Sequence, residues 1–332
     1  MDETLNSENN LPSIGDILAN IDGIPLPTEI KKSLWKSIGR LINGLVDVPV
    51  AYLEAKAKQI HTEADALALV TKYASEAAAK EFISDPQLIQ RSISHFSSRL
   101  FREQMNREKT MQLAIEDLQH NPPKVDSNAE IDLDWLEMFS RIAETRSNAD
   151  VQLFLSKILA GEIRRPGSFS LKTIQTLSTL DQNTARTFQS VCNISFEIPA
   201  VDTSFSFVIC DPFGSPGDNA LTPLGLTYLY LAELQDAGLI QSDLNAWRNL
   251  PIFLLAYGIK IGDSTINLIN EFPNLSALIE NDTTNLKTIR THVINFTIAG
   301  QELRKVIHLS SNEIYIEKFK RWMNEKLEKF DA

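Results

Sequence analysis

The chain contains 332 residues, of which 43% are hydrophobic and 23% are charged. These fractions are close to the averages of globular proteins, so the composition excludes collagen-like, wholly disordered, disulfide-scaffold and membrane-bundle classes. The formal net charge is −11, and residues 1–30 contribute six acidic side chains to it but no Lys or Arg. The acidic excess therefore lies mainly at the start of the chain.

Residues 1–27 are polar and acidic and contain several Gly and Pro residues. This composition predicts a flexible acidic tail. The tail has neither the positively charged start nor the apolar run of a secretory signal, so we expect a cytoplasmic location. The two cysteines, Cys192 and Cys210, agree with a reducing compartment, and their apolar neighbours predict two small buried side chains.

An amphipathic helix is predicted over residues 28–43, because apolar residues recur there at helical spacing. Residues 30–46 contain four cations and no acid. Two interpretations remain open: a solvated basic face on a packed helix, or a helix that binds a partner or an anionic membrane surface. The candidate binding residues of this helix are Lys31, Lys32, Trp35, Lys36 and Arg40.

A second helix is predicted over 47–83, with apolar residues alternately three and four positions apart. Its candidate oligomerisation seam comprises Val50, Leu53, Ile60 and Leu67. A third helix is predicted over 86–119, and its polar stretch 102–110 (REQMNREKT) predicts two turns that project from the body. Together, residues 28–120 predict a long helical hairpin that acts as an oligomerisation region.

The remaining chain predicts a helical core over 128–193 and an α+β, winged-helix-like domain over 194–332. The fold class is therefore mainly α with a smaller α+β part. Strands are predicted around 205–209, 251–262 and 288–298, because apolar residues there alternate or run together. The helix predicted over 222–237 would take the position of a recognition helix, yet it has Glu233 and Asp236 and no Lys or Arg. We therefore expect it to contact protein, not DNA.

Two passages carry a resemblance to a known family. The first contains LAGEI at 159–163, PGSFS at 166–170 and Thr173; the second contains LQDAGLIQ at 234–241 and NFTIAGQEL at 295–303. They resemble an uncharacterised bacterial family known only as a domain of unknown function. The resemblance covers about residues 130–310 and implies no activity. It implies a place in defence-rich gene neighbourhoods, and hence a possible role against phage, by association only.

The Pro166–Gly167 turn predicts a corner between two helices. Glu162, Arg164 and Arg165 lie beside it and are candidate partner-binding residues, although a purely structural corner is the simpler interpretation.

The sequence has no phosphate-binding G-x-x-x-x-G-K-[ST] loop, no G-x-G-x-x-G and no G-x-S-x-G. Its five histidines are far apart, without metal-ligand spacing. We therefore predict no catalytic residue, no cofactor and no metal, although an enzyme whose residues converge only in the folded chain stays an open alternative. The preferred function is a non-catalytic interaction or self-assembly protein that binds another copy or another protein. The alternatives are a DNA-binding regulator and a peripheral membrane protein.

Overall fold

The computed structural model describes residues 26–43, 86–122, 130–198, 206–241, 243–244, 246–282 and 287–331. The chain divides into two compact units, Met1–Ser168 and Phe169–Ala332. This division lies inside the 128–193 segment that the sequence predicts as one helical core. Within the described residues the fold is mainly helical with one small antiparallel sheet, as predicted.

The described part of the first unit consists of helices. Their bounds are α1 Thr28–Asn43, α2 Pro86–His120, α3 Leu133–Thr145 and α4 Ala149–Arg164. Side-chain oxygens cap two of them: Asp132 accepts from the N–H of Trp135 at 2.9 Å, and Asn148 accepts from the N–H groups of Asp150 and Val151. The predictions for α1 and α2 are confirmed. The predicted helix 47–83 lies outside the described residues.

The core of the first unit forms where the second half of α2 packs against α3, α4 and α1. Met111, Ala114, Ile115 and Leu118 are buried in that half of α2. Their helical spacing places them on one face, which is why this half of the helix enters the core.

The polar stretch of α2, residues 102–110, is also packed, so the prediction that it projects is wrong. Asn106 and Thr110 are buried. The Asn106 amide donates to the Glu144 carbonyl oxygen at 2.8 Å and accepts from the Gln152 amide at 3.2 Å. Arg107 forms an ion pair with Glu144 at 2.9 Å. A polar stripe is stable here because its neighbours on α3 and α4 supply hydrogen-bond partners.

The described part of the second unit contains helices and short strands. The helices are α5 Leu171–Thr179, α6 Gln182–Asn193, α7 Tyr228–Asp236, α8 Leu268–Glu271, α9 Asn274–Glu280, α10 Ile298–Arg304 and α11 Glu313–Asp331. The strands are β1 Phe196–Glu197, β2 Phe207–Ile209, β3 Ala246–Pro251, β4 Ile259–Ile261, β5 Ser264–Ile266 and β6 Thr288–Asn295. Ser170 and Asp181 cap α5 and α6, since their side-chain oxygens accept from the N–H groups of Thr173 and Thr184.

Among the described residues the strands form one antiparallel sheet in the order β3-β6-β2-β1-β4-β5. The longest pairing joins β3 to β6, with Trp247 opposite His292 and Asn249 opposite Arg290. The core of this unit includes Phe196, Phe319 and Tyr315, which are all fully buried. The winged-helix-like arrangement stays a prediction, because a six-stranded sheet does not itself establish it.

The predicted buried strand 251–262 is wrong over most of its length. Residues Ile252–Tyr257 form a 3-10 helix, and only Ile259–Ile261 form a strand. Gly258, with φ +77°, turns the chain between them. An apolar run alone does not separate a strand from a short buried helix, and here the Pro251 and Gly258 boundaries decide the outcome.

Candidate functional site

An exposed tryptophan marks one edge of the sheet in the second unit. Trp247 lies on β3, an edge strand of the sheet, and is 50% exposed. Its ring centroid lies 3.4 Å from that of His292, and the Arg290 guanidinium carbon lies 4.4 Å from its centroid. We define the Trp247 surface as Asp211, Trp247, Asn249, Arg290 and His292.

The register of the ladder explains why these side chains meet. The carbonyl oxygen of His292 accepts from the N–H of Cys210, and the N–H of His292 is directed to the Asp211 carboxylate at 3.3 Å. Both main-chain groups of His292 therefore point away from β3. Trp247 and His292 thus form a non-hydrogen-bonded antiparallel pair, the type of pair whose side chains lie closest.

The same alternation fixes the main chain of β3. Because Trp247 and Asn249 occupy non-hydrogen-bonded positions, their N–H and C=O groups point outward from the sheet edge. Their side chains lie on the same face, since they are two residues apart on one strand. Among the described residues, no further strand pairs with β3 on that side.

A carboxylate orients the imidazole of this surface. Asp211 Oδ1 lies 2.7 Å from His292 Nδ1. Because a carboxylate accepts, His292 Nδ1–H donates to Asp211, and Nε2 remains available for other contacts. The Asp211 carboxylate contacts His292 and forms no ion pair with Arg290. Among the described residues Arg290 has no carboxylate within ion-pair distance.

The two thiols do not supply a nucleophile to this surface. Cys192 and Cys210 are both buried, and burial raises the pKa of each thiol far above its ordinary range. The described residues contain no group of three or more His, Cys, Asp or Glu side chains that could hold a metal ion. The arrangement is suited to binding another molecule, because it presents the Trp247 ring, the Arg290 guanidinium beside it and the edge of β3.

Comparison with known proteins places most of the chain in one family. Residues 90–320 match the family described as a protein of unknown function, DUF2806. The chain belongs to the DUF2806 family. No curated protein and no solved structure matches this DUF2806 protein. The predicted resemblance to a family of unknown function is confirmed at that level, and the matched range is longer than the predicted 130–310.

At the Pro166–Gly167 corner of this DUF2806 protein, two of the three candidate partner-binding residues, Glu162 and Arg164, form contacts within the protein. Glu162 is 1% exposed and accepts from the N–H of Gly167 at 2.6 Å, which closes the turn. Arg164 donates to the carbonyl oxygens of Asp117 and Asn121, each at 2.8 Å, and forms an ion pair with the Asp117 carboxylate. Arg165 is exposed. The three residues thus do not form one exposed charged group.

The basic helix α1 packs its apolar stripe inside the first unit. Ile30, Leu34, Ile38 and Leu41 are each at most 1% exposed. Lys36 donates to Glu130 and to the Ile131 carbonyl oxygen, both at 3.2 Å, and Arg40 forms an ion pair with Glu137. Trp35 and Lys31 are half-buried, and Lys32 is exposed. This packing occupies the face that would enter a lipid surface.

Two further predictions concern membranes and oligomers. No helix in the described ranges is both long enough and apolar enough to cross a bilayer. The predicted oligomerisation seam, Val50, Leu53, Ile60 and Leu67, lies outside the described residues.

The Trp247 surface was not predicted from the sequence. The segment AWRNLP at 246–251 mixes polar and apolar residues without strict alternation and ends in proline. Its strand state depends on pairing with β6, whose paired residues lie 37 to 47 positions later in the chain. The available signal was the pattern of Trp247, Arg290 and His292 near predicted strand positions, which becomes informative only once the register is known.

Proposed function

We propose that this DUF2806 protein is a non-catalytic interaction protein and that the Trp247 surface binds a protein partner. The observation that carries the proposal is a half-exposed tryptophan whose ring contacts both the His292 ring and the Arg290 guanidinium. Tryptophan and arginine are the residues most enriched among those that dominate binding energies at protein interfaces.

The fixed position of Trp247 supports this role. A side chain that is already held by neighbours loses little conformational entropy when a partner covers it. His292 is hydrogen-bonded to Asp211, so the imidazole that contacts the indole is itself fixed in position. Most of the conformational entropy of these contact residues is therefore already lost in the free protein.

A protein partner is favoured over duplex DNA by the charge of α7. This helix carries Glu233 and Asp236 but no Lys or Arg, whereas DNA affinity depends on cations that neutralise phosphates. Self-assembly belongs to the same proposal, because the partner that covers Trp247 can be a second copy of this chain. Size-exclusion chromatography with light scattering on the full chain tests that form.

The test compares two exposed aromatic residues in the same unit. The Trp247→Ala variant should lose a partner that the wild-type full chain captures from its source cells, as measured by quantitative mass spectrometry. The Tyr257→Ala variant is the matched control, since Tyr257 is 65% exposed and lies outside the Trp247 surface. Equal capture and equal oligomeric state for all three proteins would contradict the proposal.

A further inference from the structure

The exposed edge of β3 has the geometry needed to accept one more strand. Trp247 and Asn249 each direct an N–H and a C=O group outward, as the register with β6 requires. Such unpaired groups form a template for the main chain of an incoming segment. Strand addition of this kind derives affinity from main-chain hydrogen bonds and specificity from alternate side chains.

The side chains beside this edge select the charge of the incoming segment. Arg290 is exposed, and its guanidinium lies over the Trp247 ring at 4.4 Å. Stacking on an aromatic face leaves the in-plane N–H donors of an arginine available to a carboxylate. The one carboxylate of this cluster, Asp211, is engaged by His292. The Arg290 guanidinium is therefore available to a carboxylate of the incoming segment.

We propose that the Trp247 surface binds an extended acidic segment of a partner protein, which pairs with β3 as an added strand. This inference rests on the proposed function and names the chemistry of the partner. The segment forms main-chain hydrogen bonds with Trp247 and Asn249. An Asp or Glu that pairs with either residue lies on the face of Arg290 and meets its guanidinium.

The register of β3 with β6 identifies a substitution, Asn249→Pro, that should block the outer edge of β3 without breaking the sheet. Asn249 directs its N–H outward, so Asn249→Pro removes an outward donor but no hydrogen bond between β3 and β6. Arg290→Gln removes the cation and retains a polar amide. Lys260→Gln is the matched control, because Lys260 is an exposed cation on β4 of the same sheet.

The probe is a fluorescein-labelled decapeptide of alternating Val and Glu, titrated against the full chain and followed by fluorescence anisotropy. Asn249→Pro and Arg290→Gln should each weaken its binding by about fivefold or more, and Lys260→Gln by less than about twofold. A Val–Lys decapeptide and a Val–Glu decapeptide N-methylated at alternate residues should bind more weakly than the probe. Amide shifts in the labelled protein should concentrate at 246–251.

Three results would overturn strand addition: no binding of the Val–Glu peptide up to about 1 mM, equal binding of the N-methylated peptide, or binding unchanged by both variants. The capture experiment separates this failure from that of the proposed function. A partner lost with Trp247→Ala but retained with Asn249→Pro overturns the added strand and leaves the proposed function intact. A partner retained with Trp247→Ala overturns the proposed function itself.

Discussion

Glu302 accepts a hydrogen bond from the N–H of Ser170 at 2.7 Å, although the two residues are 132 positions apart in the chain. The same carboxylate oxygen accepts from the Ser170 hydroxyl at 3.1 Å and from the Thr173 hydroxyl at 2.5 Å. Ser170 caps α5 and Glu302 lies on α10, so the contact joins the two passages that carry the family resemblance. A carboxylate at this helix start also meets the positive end of the helix dipole.

Replacement of Glu302 should therefore destabilise the second unit. Glu302→Ala leaves three donors near the start of α5 without their acceptor, and we expect a loss of about 1–3 kcal/mol in the free energy of unfolding. Urea denaturation followed by circular dichroism measures this loss. Glu302→Gln retains one acceptor oxygen and should lose less.

Glu233→Ala provides the control for a lost carboxylate, since Glu233 is an exposed residue on α7. It should change the unfolding free energy by less than about 0.5 kcal/mol. If Glu302→Ala is as mild as this control, the carboxylate contributes nothing to the start of α5.

Arg164 and Arg165 are adjacent but should behave differently. Arg164 holds the end of α2 through the carbonyl oxygens of Asp117 and Asn121 and through the Asp117 carboxylate, whereas Arg165 is exposed. Arg164→Ala should lower the free energy of unfolding by about 1–2 kcal/mol, because carbonyl groups at the end of a helix lose their donor. Arg165→Ala should have an effect below about 0.5 kcal/mol.

Thermal and urea unfolding of the two variants measure the difference directly. The pair also separates structure from binding, because a partner contact at this corner would have to use the exposed Arg165. Equal stability of the two variants would remove the structural assignment of Arg164.

Helix positions in this protein could be predicted because their signals are local. Apolar spacing predicted helices over 28–43 and 86–119, and the structure has α1 Thr28–Asn43 and α2 Pro86–His120, which is within the usual uncertainty of helix ends. The predictions failed where residues distant in the sequence determine the structure. The polar stripe around Asn106 looks exposed until Gln152 and the Glu144 carbonyl oxygen are placed beside it. The edge strand at Trp247 requires the register with β6.

Gly300 shows the same limit at a single position. It lies within α10, where alanine would ordinarily be the better helix former. A methyl group at this position would overlap the carbonyl oxygen of Leu239, which also accepts from the N–H of Thr297. The AGLI and TIAG segments therefore pack at backbone distance. In the sequence, Gly300 is the one sign of a close contact, and only the fold shows that the contacting residue is Leu239.

The buried thiols predict an alkaline loss of stability. Burial raises the pKa of the Cys192 thiol and, with the neighbouring Asp211 carboxylate as a second cause, that of the Cys210 thiol. In the unfolded chain a thiol ionises near pH 8.5, while in the folded protein both stay protonated. A raised folded pKa means that the stability is fully present below about pH 8.5 and declines above it. The slope approaches about 1.4 kcal/mol per pH unit for each thiol once the pH is well above 8.5.

Urea denaturation in reductant at pH 7.5, 8.5 and 9.5 measures this slope. Cys192→Ala with Cys210→Ala lowers the starting stability but should flatten the decline between pH 8.5 and 9.5, so the comparison is between slopes. Tyr315→Phe is the matched control: burial also raises the pKa of this phenol, but an unfolded tyrosine ionises only near pH 10. Its slope below pH 9.5 should therefore remain close to that of the wild type. A wild-type protein whose stability is constant across this range would show that the two thiols are not protected from ionisation in the folded state.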